Sequence, residues 1–437
     1  MKEIWEKARS LKAAIIADRR YLHQHPEIGL DLPKTCNYIR RRLDEMHIPW
    51  KDHVEELPPK LTKDFIEAGF PSMTRATGIT ATIGHGGPCI LLRADMDALP
   101  IKEENDLPFA SANDYGHMCG HDSHVAMLLG AAAILKSMES KLAGTVKLLF
   151  QPGEETGAGA RLMVQNGILK DPEVDAALGI HIHSDKPVGE VTYSKGVNSA
   201  SLDTYIVKIR GRGGHSSAPH QCIDPLMIMN QIYQAVNLLV TRETDPEAMV
   251  ALTCGVARGG TAVNIIPETA EVHIGVRTLN IEAREHLKKR IPELVDGYVK
   301  AWRGMYELTC FATPSTYSDS DFCDQMLPFI REIAGEENVH ICPPMKGTED
   351  FGYITQQVPG MYLCLGDGAP GAAPLHNAKM MLREEAFCEG AALYANCAVQ
   401  WLKLAAGKAA DASGTFSRKK SGEDCGLHEK NGCGQEE

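Results

Sequence analysis

The sequence predicts an α/β body interrupted by a smaller α+β unit of the ferredoxin-like kind. Three observations predict it. Helices and short apolar strands alternate through residues 1–197, half-buried antiparallel strands with amphipathic helices replace them over 198–311, and the α/β pattern returns over 312–404. At 437 residues the chain exceeds what one hydrophobic core serves, so two folded units are expected, the second inserted into the first.

In the first part, residues about 3–25 and 33–47 carry helical periodicity. CILLRA (89–94), TVKLLFQ (145–151) and DAALGIHI (175–182) are short apolar runs bordered by turn residues. MCGHDSHVAMLLGAAAILKSM has a polar start followed by a long apolar helix. This alternation predicts a mixed or parallel sheet, in which ligands collect at the C-terminal ends of strands.

In the second part, TYIVKIRG (204–211), AMVALTCGVARGG (248–260) and TAEVHIGVRTL (269–279) alternate as strands with one buried face. Residues 224–240 and 281–302 form amphipathic helices, and MYELTCFA (305–312) is a further strand. The order strand, helix, strand, strand, helix, strand is that of a ferredoxin-like sandwich. After Pro314 come a helix near 321–334, a strand at 360–366 and a closing helix at 383–404. Residues 405–437 hold few large apolar side chains and many Gly, Ser and Lys, and are expected to be disordered. Their Cys425, His428 and Cys433 are loosely spaced, with no evident fourth ligand.

With 43% hydrophobic and 23% charged residues, a sizeable core is expected and general disorder is excluded. The 45 Lys and Arg against 57 Asp and Glu give a net charge of −12, and the basic residues are scattered. That argues against nucleic acid or an anionic membrane as partner and for a small molecule. The N-terminus lacks a signal-peptide apolar stretch, and no apolar run reaches spanning length, so a cytoplasmic protein is expected. The thirteen cysteines, an odd number, sit mainly in apolar segments and read as small buried hydrophobes. Cys119 has a different setting.

HMCGHDSH (117–124) packs four potential metal ligands, His117, Cys119, His121 and His124, just before a helix. Cys119 and His121 can reach one point from a turn at a helix N-terminus, where the dipole favours thiolate. A single histidine there would read as part of a capping segment; the density favours metal. Glu154 and Glu155 follow an apolar strand. They read either as caps of the next helix or as one metal ligand beside one free carboxylate that takes a proton from water. His181 and His183 end the third strand, pointing to one side. Asp95 and Asp97 end the first, where burial demands a cation or hydrogen bonds. His376 alone carries little information.

Together these segments resemble the M20 peptidase/amidohydrolase family, in the branch of hippurate hydrolases, N-acyl-amino-acid amidohydrolases and auxin-conjugate hydrolases. The resemblance spans about residues 10–404. It runs through RYLHQHPEIG (20–29), RADMDALPI, HMCGHDSH, FQPGEE, GIHIHSDKPVG, GRGGHSSAPH, GGTAVNIIP, GTEDF and PLHN, specific in their order and spacing. It implies a metallo-exopeptidase-like α/β catalytic domain with an inserted lid and dimerisation domain, and a homodimer. It implies metal ligands Cys119, His121, Glu155, His181 and His376, with Glu154 as general base and acid. By the same resemblance Asp97 orients a ligand histidine, His215 polarises the scissile carbonyl, and Asn264 and Arg277 hold the substrate's carboxylate.

The chain departs from the family at Ser123, a position usually held by glycine, and over residues 54–73, a longer link that lines or covers the pocket in this reading. The implied activity is hydrolysis of an N-acyl amino acid or dipeptide-like amide with two divalent cations, manganese, zinc, nickel or cobalt. The alternatives are a metallo-dipeptidase or carboxypeptidase of the same fold, a hydrolase with Cys119 as nucleophile and His121 as base, or a catalytically silent metal-binding protein. Chelators separate the cysteine enzyme from the metal enzyme. A free Glu154 has no use in a silent site.

Overall fold

The computed structural model describes residues 2–67 and 73–411. Its larger sheet has eight strands, in the order Trp50–Glu56, Arg75–Gly84, Thr145–Gln151, Cys89–Asp95, Ala176–Pro187, Gly360–Gly368, Val191–Tyr193 and Val339–Ile341. The four central strands, Thr145–Gln151 to Gly360–Gly368, run parallel. Every residue of Thr145–Gln151, Cys89–Asp95 and Gly360–Gly368 is buried, as expected of parallel strands covered on both faces.

Alternation along Cys89–Asp95 divides the core. Ile90 and Leu92 face the apolar helix His121–Ser137 and the closing helix Phe387–Asp411, through Val125, Leu129 and Leu393. Leu91 faces the other side, with Leu149, Ala177, Phe351 and Tyr362. The sheet is thus wrapped on its two faces, and its polar groups gather at the strand ends.

Residues from Ser201 to Thr313 supply a separate four-stranded antiparallel sheet of Ser201–Arg210, Val250–Gly259, Thr269–Thr278 and Met305–Thr313. In space the fourth strand lies beside the first, and the second beside the third. That is the ferredoxin-like arrangement expected from the sequence. Helices Pro225–Arg242 and Ile281–Ala301 cover one face and bury Val207, Ile232, Val236, Val272, Ile291 and Val295 in a core of their own. Asp224 and Asn280 start these helices by accepting the backbone N–H groups of Leu226 and Ala283 at 2.9 and 2.8 Å.

Two boundaries differ from expectation. The closing helix begins at Phe387, because Asp367 takes the N–H groups of Glu384, Glu385 and Ala386 and Glu384 adopts φ 64°. It continues to Asp411, past the disordered tail's expected start at 405. Residues 412–437, with Cys425, His428 and Cys433, lie outside the described residues. Among the described residues no helix is long and apolar enough to cross a membrane.

The link at 54–73 contains a helix, Pro59–Glu67, that the periodicity reading did not place. Its Phe65 is fully buried and stacks on Phe311 of the small sheet, with ring centroids 5.9 Å apart. Leu30, Leu57, Met73, Ala76, Ala158 and Leu162 complete that cluster, so the helix is wedged between body and small sheet beside the Glu154–Glu155 turn. Phe65→Ala should therefore cost about 3–5 kcal/mol in urea unfolding, as for a buried aromatic. A loss below about 1 kcal/mol would show that the helix merely rests on the surface.

Candidate metal centre

The site forms where the parallel strands end. Cys89–Asp95 delivers Asp95 and Asp97, Thr145–Gln151 leads into Glu154 and Glu155, Ala176–Pro187 carries His181, and the loop after Gly360–Gly368 carries His376. The N-terminus of His121–Ser137 brings Cys119 and His121 against them. The turn into that helix needs Gly120, whose φ of +84° and distance of 2.4 Å from an added Cβ to Ile182 Cγ2 leave no space for a side chain.

Five residues converge. Ligand atoms of Cys119, His121 and His181 lie within 4.8 Å of one another, as do those of Cys119, Glu155 and His376. Cys119 thus belongs to both triads, with Sγ 3.4 Å from His181 Nε2. His121, Glu154 and Glu155 form a third group. Asp97 lies behind the triads, with Oδ1 3.4 Å from His121 Nδ1, and accepts the N–H groups of Glu154 and Glu155 at 3.0 and 3.1 Å. One carboxylate therefore braces the histidine and the turn that presents the glutamates.

His121 Nε2 and Glu155 Oε1 are buried without a well-formed hydrogen bond, although His376 Nε2 lies 3.3 Å from Glu155 Oε1. Buried polar atoms left in this state are costly, and a cation would satisfy them. The donor set of one thiol, three imidazoles and one carboxylate suits a borderline divalent metal. His376 adopts φ 63°, a strained conformation for a non-glycine residue, held by its N–H donating to Met118 O at 2.7 Å.

Charge in the site is unbalanced. Burial, then the carboxylates of Glu349, Glu155 and Asp350, push the Glu154 carboxyl far above its usual range. Burial and Glu155 likewise push the Cys119 thiol up. Arg93, fully enclosed, donates to Asp95 at 2.8 Å and, through Nη2, to Glu349 and Asp350 at 2.9 Å each. Tyr362 Oη donates to Glu349 at 2.6 Å. Burial and Glu349 raise Asp350 to about 8 despite Arg93.

Glu349 and Asp350 were not singled out from the sequence, though GTEDF holds two adjacent acids that bear on the site. Conversely, two of the four donors in HMCGHDSH do not join the cluster. Neither ring nitrogen of buried His117 has a partner, and it belongs to no ligand group among the described residues. Both nitrogens of His124 are engaged elsewhere. His183 meets Asp185, at 3.3 Å.

None of the three residues expected from the inserted unit belongs to a ligand group among the described residues. His215 and Asn264 are exposed, and no described hydrogen bond or ion pair joins them to the cluster; His215 Nδ1 instead accepts the Ser217 N–H at 3.1 Å. The strand Gly214–His215 pairs with Ile265–Ile266, which keeps His215 and Asn264 neighbours. Arg277 is half-buried and donates to Thr348 Oγ1 at 2.6 Å, beside Glu349. Among the described residues it has no carboxylate partner, and burial lowers its pKa.

Fold and site together define a hydrolase of the metal-dependent peptidase and amidohydrolase class. The chain belongs to peptidase family M20/M25/M40, whose model matches residues 91–400. It is 33% identical over 389 residues to N-acetylcysteine deacetylase of Bacillus subtilis, covering 88% of this chain and 96% of that protein. It is 33% identical over 399 residues to IAA-amino acid hydrolase ILR1-like 2 of Arabidopsis thaliana, covering 89% and 85%. A solved Bacillus subtilis structure, described as a dinuclear metal binding peptidase of the M20 family, matches with TM-score 0.69 and 32% identity, over 90% of this chain and 99% of that one.

Proposed function

We propose that this hydrolase cleaves the amide bond of N-acyl amino acids or related amide conjugates, with two divalent cations held by Cys119, His121, Glu155, His181 and His376. The observation that carries the reading is the sharing of Cys119 between two triads, with Glu154 beside them and outside both. Such cations, whether manganese, zinc, nickel or cobalt, would polarise the scissile carbonyl and acidify a water molecule. The names of the relatives, a deacetylase of N-acetylcysteine and a hydrolase of IAA-amino acids, support an N-acyl amino acid as substrate.

Glu154 takes the proton of the attacking water as the C–O bond forms, and returns it to the nitrogen as the C–N bond breaks. Its place among Glu349, Glu155 and Asp350 raises its proton affinity, and cations bound beside it would bring that affinity back toward a value at which it both takes and returns the proton. Asp97 keeps His121 and the glutamate turn in register. Arg277, with no carboxylate partner among the described residues, pairs with the carboxylate of the substrate, helped by Asn264. His215 polarises the carbonyl oxygen once residues 198–311 act as a lid, in a homodimer or within one chain.

A dipeptidase or carboxypeptidase would use the same groups, and rates on N-acetyl, N-benzoyl and indole-acetyl amino acids beside dipeptides separate the readings. A nucleophilic Cys119 is disfavoured because its sulfur is shared by two triads of ligand atoms.

Glu154→Gln should keep its metal content and lose roughly 10²–10⁴-fold in kcat. A near-normal rate in a metal-replete preparation would remove Glu154 from the proton path. His215→Ala should lower kcat with metal content unchanged, through loss of carbonyl polarisation. Unaltered turnover would take His215 out of the reaction.

A further inference from the structure

His124 lies at the end of HMCGHDSH, buried, inside a group with Asp95 and His121 whose ligand atoms lie within 4.8 Å. A third cation is not its role. Both its nitrogens are in hydrogen bonds, and so are both oxygens of Asp95: Oδ2 accepts from Arg93 at 2.8 Å and Oδ1 meets His124 Nδ1 at 2.5 Å.

The directions of these bonds follow from one another. A carboxylate held by Arg93 only accepts, so His124 carries its proton on Nδ1 and a lone pair on Nε2. That lone pair takes the N–H of Ile182 at 2.8 Å. The carbonyl of the same residue, Ile182 O, lies 2.6 Å from His181 Nδ1. A carbonyl also only accepts, so His181 carries its proton on Nδ1. Its Nε2 is left bare, 3.4 Å from Cys119 Sγ. The His124 and His181 rings also touch edge to face, with centroids 4.5 Å apart at 67°.

The sheet explains why the Ile182 N–H needs such a partner. Strands Cys89–Asp95 and Ala176–Pro187 pair only as far as Arg93 and Gly179. Beyond that point Tyr394 Oη accepts the N–H of Ile180 at 3.0 Å and itself donates to Arg93 O at 2.6 Å. His124 serves the next such N–H, at the residue whose carbonyl orients His181.

We propose that His124 is a positioning residue: with Arg93 and Asp95 it clamps the Ile182 peptide and thereby fixes the tautomer and aim of His181. The inference rests on the reading of His181 as a ligand. Outer partners of ligating histidines are worth about 10–100-fold in metal affinity.

The test is titration of the full metal-free chain with cobalt or zinc alone. His124→Asn keeps a donor to Asp95 but is too short to reach Ile182, and should weaken one of two cations by about 10–100-fold. His124→Gln, with an oxygen able to reach that N–H, should recover much of the loss. Tyr394→Phe removes the equivalent bond at Ile180, and should destabilise the fold while leaving metal affinity at the wild-type value. An unchanged affinity in His124→Asn, or an equal loss in Tyr394→Phe, would overturn the proposal, the latter because the effect would then be only structural. Should His124→Asn not fold, nitrogen-15 histidine spectra of the metal-free wild type decide. A proton on Nδ1 of His181 supports the clamp and one on Nε2 rejects it. Undiminished binding in His181→Ala would instead remove His181 from the ligand set, a failure that the tautomer spectra distinguish from failure of the clamp.

Discussion

The cost of crowding carboxylates into one dry region is the constraint on which the rest of the structure depends. Asp95, Asp97, Glu349 and Asp350 are almost wholly buried at the ends of the central strands, with Glu154 and Glu155 against them. Ionised carboxylates removed from water cost several kcal/mol each unless they are paired. The guanidinium of Arg93 serves Asp95, Glu349 and Asp350, and backbone N–H groups serve Asp97. Glu154 and Glu155 lie outside the reach of Arg93, and Glu155 turns instead to His376, 3.3 Å away. Without a cation, protons drawn onto His121 and His376 balance Glu155, and five donor atoms gathered around that charge are the chemical case for cations in place of those protons.

The parallel sheet makes that concentration possible. Its buried strands are largely apolar, so they hold their ends at fixed spacing, and polar residues placed at and just past those ends meet without a long search through loops. Gly120 lets the turn that carries the thiol pack directly on Ile182, and Gly153, at φ +64°, packs against Leu30 so closely that a Cβ would sit 2.3 Å from a methyl carbon. The small sheet leans on the same region. Thr313 Oγ1 donates to Gly157 O at 3.2 Å, and Phe311 meets Phe65 there.

Much of this was legible in the sequence, because period-two and period-3.6 patterns report burial directly. The strands at 89, 145 and 176 and both helices of the small unit follow from them. Cys119, His121, Glu154 and Glu155 stood out by density and by their place at strand ends. His376 carried no local signal, since it lies in a loop and reaches the cluster only through tertiary structure. Glu349 and Asp350 were hidden for the same reason, their partner Arg93 lying more than 250 residues away. His117 and His124 looked like ligands because spacing reports proximity and not the direction in which a ring nitrogen points. The Pro59–Glu67 helix was missed because a short amphipathic stretch in a polar link has a weak period.

In the proposed site one thiolate serves two cations, so their binding is linked through Cys119. That linkage is tested most directly by equilibrium dialysis of the chelator-stripped chain against zinc or manganese, run in parallel on Cys119→Ser. The wild-type chain should bind two cations, and the variant should bind both more weakly. Fewer than two in the wild type, or a variant in which one cation is lost and the other binds as before, would contradict that linkage.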